Sequence, residues 1–140
     1  MAIDFLERCD VVEECYEFLL GYAAQGLPSD EGSSAGCEVR NHLERAREAL
    51  VGLPESCRQA IHDHQLEPSA KYDAFCCTLE RDGSDSLVAL ELVLAQPAIS
   101  SQLIDNLNAS SHLRALLTDL FLFSEILRAR LKVTVAVEGQ

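Results

Sequence analysis

Residues 112–132 read HLRALLTDLFLFSEILRARLK. Leu113, Leu117, Leu120, Leu127 and Leu131 fall on one stripe of a helix, and Leu116, Phe123 and Ile126 widen that stripe past half the circumference. A face that broad needs more than one neighbouring element to cover it. The segment therefore reads as a central helix of a bundle, with its partners upstream in the chain.

Moving towards the N-terminus, Ser110 or Ser111 caps this helix. Pro97 suits the first position of a preceding helix to about Asn108, with Ile99, Leu103, Ile104 and Leu107 on one face. At the start of the chain, Asp10 followed by Glu13 has the form of a capping box. It opens a helix to about Gln25 with Val12, Tyr16, Leu19, Leu20 and Ala23 as its apolar face, and residues 3–9 form a short turn that tucks Phe5 and Leu6 inward. Residues 26–36, GLPSDEGSSAG, are rich in Gly and Ser and read as a flexible loop. A helix follows from about Cys37 to Val51 on Val39, Leu43, Ala46 and Leu50, ended by Gly52 and Pro54, and a shorter one runs from about Glu55 to Gln65, closed by Pro68.

Residues 69–95 support two readings. Leu, Ala and Glu favour helices on either side of a break at Gly83. FCCTLER-DGSD-SLVALELVL also has the alternation and the Asp82-Gly83 turn of a β-hairpin. Val133, Val135 and Val137 alternate and read as a short strand. The expected fold is mainly α: one domain over residues 1–140, a bundle of five or six helices with a short C-terminal strand. The alternative is α+β, with a hairpin near 74–94 pairing with 132–138.

Composition agrees with a bundle and narrows the function. Hydrophobic residues make up 48% of the 140, aromatics 6%, and Trp is absent, so the core rests on aliphatic side chains. The formal charge of −12 repels nucleic-acid phosphates and anionic lipid, which argues against either as a partner. It favours a protein partner with a basic or apolar surface. Acids crowd residues 1–31, where Asp4, Glu7, Asp10, Glu13, Glu14, Glu17, Asp30 and Glu31 face only Arg8, whereas residues 111–132 carry Arg114, Arg128, Arg130 and Lys132. First and last helices lying side by side would bring these rims together. Charges at Asp4, Glu7 and Arg8 interrupt any leader-like apolar run, and no stretch approaches a membrane-spanning length. Six cysteines without an export signal suggest reduced thiols in the cytoplasm.

No residue pattern specifies a reaction. There is no nucleophile elbow and no phosphate-cradling loop, since GSSAG lacks the following Lys, and no cofactor is implied. The most suggestive ligand set is Cys57, His62 and His64 with Cys37 and His42, but the spacings fit one helical face poorly and no CxxC pair occurs. The expected function is therefore non-catalytic: an accessory or adaptor protein that binds another protein through an acidic N-terminal face (Glu13, Glu14, Glu17) and an apolar helix surface (Phe121, Phe123), with homodimerisation as a further use of that surface. The alternatives are an acidic inhibitor that occupies a basic site on its target, and a Cys/His metal or thiol redox sensor.

Overall fold

Phe5, Cys9, Val12, Cys15, Leu19 and Tyr22 recur at intervals of three and four, and all are buried. That single stripe makes α1 (Ala2–Ala24) one continuous helix. The computed structural model describes the backbone of residues 2–138 and the side chains of residues 4–132. Asp10 is exposed in mid-helix and is not an N-cap. A cap contributes about 1 kcal/mol, whereas burying a side chain the size of Phe contributes about 2–3 kcal/mol, so Phe5 and Cys9 draw the helix upstream through the capping-box sequence.

Five further helices follow: α2 (Ser34–Val51), α3 (Leu53–Asp63), α4 (Ser69–Leu94), α5 (Ser101–Ala109) and α6 (Ser111–Glu138). The described residues contain no strand, and the fold is a mainly α bundle. The hairpin reading of 74–94 is overturned: α4 runs unbroken through Asp82-Gly83 for 26 residues. Gly83 is buried there, and its open flank faces Leu116 of α6. Apolar burial against α6 thus overrides the turn propensity of Asp-Gly. The strand expected at Val133–Val137 falls on a stretch whose side chains lie outside the described residues; the backbone there is the end of α6.

Two connections differ from expectation for one reason. The first loop ends sooner, because Ser33 caps α2 by accepting the Gly36 N–H at 2.9 Å. Pro97 does not start a helix; Ser100 does, accepting the Leu103 N–H at 3.0 Å. Between these caps, residues 27–30 and 94–101 are bonded to each other. Arg40 of α2 donates to Asp30 Oδ2 (2.7 Å) and to the carbonyls of Leu94 (3.1 Å) and Gln96 (2.9 Å). Asp30 Oδ1 accepts the Ile99 N–H at 2.8 Å. Leu27 and Ser101 exchange two further bonds, and the Tyr22 hydroxyl donates to the Ile99 carbonyl at 2.7 Å. Arg40 satisfies the carbonyl end of α4, and its guanidinium, followed by the Ile99 N–H, holds the Asp30 carboxyl below the usual range.

The buried side chains form one continuous cluster. Its centre is Phe123 of α6, 1% exposed. Phe123 meets Phe5 of α1 edge-on at 5.1 Å, stacks on Phe75 of α4 at 5.7 Å, and meets Tyr72 edge-on at 6.0 Å. First and last helices do touch, through this ring contact and through Arg128–Asp10 at 3.5 Å.

Two glycines should respond in opposite ways to alanine. A Cβ at Gly36 would overlap the Asp30 carbonyl oxygen, so Gly36→Ala must displace the clasped loop and should cost more than about 2 kcal/mol. A Cβ at Gly83 would meet only Leu116 Cδ1 at 3.9 Å, an ordinary contact. Gly83→Ala should therefore stabilise by about 0.5–1 kcal/mol. Urea denaturation midpoints of the two variants check both signs.

Candidate partner-binding groove and its acidic end

Helices α4 and α6 leave an apolar groove on their outer side. Its volume is about 240 Å³, and Pro68, Lys71, Tyr72, Phe75, Leu122, Phe123 and Ile126 line it. The floor is the Phe75–Phe123 stack. The rim is Leu122, 53% exposed, and Ile126, 38% exposed. Phe121, on another face of α6, is 52% exposed. Of the two phenylalanines expected to contact a partner, Phe123 is thus committed to the core and only floors the groove, while Phe121 is open to solvent. The outward-facing rim residues, Leu122 and Ile126, were not among the expected contacts. Ile126 lies on the stripe read from the sequence and Leu122 beside it, but which edge of so broad an apolar face stays uncovered depends on how α4 seats.

One helical turn before the groove on α6, Asp119 faces Asp82 of α4. Burial first, and then the facing Asp82 carboxyl, push Asp119 up to about 7. Two carboxyls in one seam cannot both ionise without cost. Beyond them Asp85 lies 3.9 Å from His112, and the Ser86 hydroxyl donates to the His112 carbonyl at 2.8 Å. The seam therefore runs from apolar groove to acidic pair to polar cap.

The acidic face of α1 is real but partly neutralised. Glu14 pairs with Arg45 at 3.8 Å and Asp10 with Arg128. Glu13 is half-buried; desolvation first, then the Asp10 charge, raises its pKa. Glu17 is exposed and has no ion pair among the described residues.

The Cys/His set is not brought together. Cys37 is exposed on α2, and His42 stacks on Phe18 at 4.1 Å. Cys57 is buried in α3, while His62 and His64 are exposed at that helix's end. Among the described residues no group of three or more His, Cys, Asp or Glu could hold a metal ion. The structure instead sets Cys57 against Cys76, a pairing that spacing alone could not show, because it depends on the register of α3 on α4. A wider depression of about 690 Å³ lies at the α3–α4 connection, but every polar residue lining it, including Arg58, His62 and Asp73, is exposed to water. No described helix is long and apolar enough to cross a membrane. No protein-family model matches the chain, and neither curated proteins nor solved structures give a match.

Asp119→Asn tests the acidic pair. A carboxyl whose folded pKa lies above its unfolded value contributes nothing where both states are protonated, and it costs stability as pH rises from about 4 to about 7. The variant should match the wild type near pH 4 and exceed it above pH 7. The partly exposed site limits the gain to about 1 kcal/mol. Thermal melts across that range check the sign.

Proposed function

We propose that the chain is a non-catalytic protein-binding accessory protein that seats an amphipathic helix of a partner in the α4–α6 groove. The observation that carries the reading is the adjacency of an apolar groove to an acidic pair on one helical seam. A groove of this kind accepts apolar anchors spaced by helical turns. The carboxyls one turn further on favour Lys or Arg next to those anchors, and the formal charge of −12 favours a basic partner generally. The exposed carboxylates of α1, Glu17 foremost, add long-range attraction, an effect on association rate more than on residence time. A second negatively charged copy of this chain fits the same seam less well.

The groove predicts a specific loss. Leu122→Glu and Ile126→Glu alter exposed rim positions and should leave helical content unchanged. With a partner captured at low salt and then purified, each should weaken binding at least tenfold, and cross-links should map a basic amphipathic helix onto α4 and α6. Affinity should also rise as pH increases through about 7, since a cation favours ionised Asp119. Unchanged affinity in both rim variants, or cross-links confined to α1, overturns the groove. Charge reversal at Glu13, Glu14 and Glu17 should slow association and flatten its salt dependence; no change there removes the α1 face from the reading.

A further inference from the structure

The six cysteines divide sharply by environment. Cys37 and Cys77 are exposed, and Cys9, Cys15, Cys57 and Cys76 are buried. Among the described residues only one pair of sulfurs is in bonding reach: Cys57 Sγ of α3 and Cys76 Sγ of α4 lie 3.0 Å apart. A disulfide needs a separation of about 2.0 Å, so closure requires a movement of about 1 Å, which small side-chain rotations can supply. The two residues stand 19 apart in sequence, on helices that already pack together. We propose that Cys57 and Cys76 form a dithiol that oxidises to an intramolecular disulfide and staples α3 to α4. This site is independent of the partner-binding reading of the groove.

The chemistry has a natural order. Either sulfur can donate the S–H in this contact, and the one that accepts it is favoured as thiolate; with Cys57 as donor that is Cys76, and Arg58 nearby favours ionisation at the pair. Cys9, close by on α1, is pushed up to about 12, chiefly by burial, and remains a thiol. A low-molecular-weight disulfide such as oxidised glutathione supplies the oxidant. The Cys76 thiolate attacks one of its sulfurs and expels one small thiolate, leaving a mixed disulfide on Cys76. Cys57 then loses its proton, and its sulfur attacks Cys76 Sγ and expels the second small thiolate. Two thiol protons and two electrons leave the protein, and one small disulfide becomes two thiols. Both sulfurs are almost fully buried, so the first attack requires a transient opening of α3 from α4, and oxidation is slow relative to that of an exposed thiol. Phe75, next to Cys76, floors the groove, so the staple also fixes that floor against α3.

The test is oxidation of the full chain with excess oxidised glutathione, followed by denaturation, alkylation and mass spectrometry. The expected product takes up alkyl label at neither Cys57 nor Cys76, yields a cross-linked Cys57–Cys76 peptide, and carries any glutathione adduct only on the exposed Cys37 and Cys77. Its melting temperature should lie roughly 5–10 °C above that of the reduced chain, and a thiol reductant should reverse the shift. Because substitutions at Cys57 or Cys76 could impair folding, the control is C37S/C77S, which removes only exposed thiols and should form the same bond at a similar rate. Label at both Cys57 and Cys76, glutathione retained on either of them, a bond from Cys9 to either partner, or loss of the bond in C37S/C77S each overturns the proposal.

Discussion

Phe123 is the residue on which the arrangement of the helices turns. Its ring meets α1 through Phe5 and α4 through Phe75 and Tyr72. In a chain with no Trp and five Phe, three of the five therefore gather at one point. That contact also fixes the rotation of α6 about its own axis. Successive residues of a helix point about 100° apart, so once Phe123 faces inward, Phe121 and Leu122 must face out, and Ile126 sits at the edge. The exposed apolar rim of the groove is thus a consequence of core packing. No rotation of α6 can bury Leu122 without withdrawing Phe123 from the three rings it touches.

The second constraint is polar. A bundle of several helices produces many helix ends, and every end leaves unsatisfied N–H or C=O groups. Here Arg40 and Asp30 satisfy several at once, joining the loop after α1 to the segment between α4 and α5. Asp30 is only 10% exposed and Arg40 34%, so these charged hydrogen bonds are screened less than the surface pairs at Glu14 and Asp10. The planar guanidinium donates in three directions, a geometry that a lysine ammonium does not reproduce. Gly36 belongs to the same device, because α2 can lie beneath the Asp30 carbonyl only where no Cβ intervenes.

Much of this was legible in the sequence, and the failures share a cause. Helical periodicity located the apolar faces of α2, α5 and α6, and composition pointed to an aliphatic bundle. Asp10-Glu13, Asp82-Gly83 and Pro97 each carried a local signal that tertiary contacts overrode: Phe5 and Cys9 extended the stripe, Leu116 received α4 at Gly83, and the Arg40 clasp took backbone groups that a helix starting at Pro97 would have used. The site was less legible than the fold. Phe121, Glu14 and Glu17 are exposed, but the exposure of Leu122 and Ile126 depends on how α4 seats on α6, and the Asp82–Asp119 pair and the Cys57–Cys76 contact join residues from different helices. Their identity depends on interhelical register, which a single sequence does not encode locally.

Among the described residues, the Asp82–Asp119 pair sets like charges of α4 and α6 against each other. At other sites a carboxyl meets an opposite charge, as at Glu14 and Asp10, or a charge together with a backbone donor, as at Asp30. Here two carboxyls oppose each other in a partly buried seam, where an amide at either position would serve packing equally well and cost less. A local departure from an otherwise consistent sequence points to a demand other than stability. Its position one turn beyond the groove gives that demand a chemical form. A cation from a bound helix would relieve the repulsion, ionise Asp119 and convert a cost in the free protein into attraction in the complex. The same pair would reject a partner carrying acid at that position, so the seam would select for charge as well as for apolar shape.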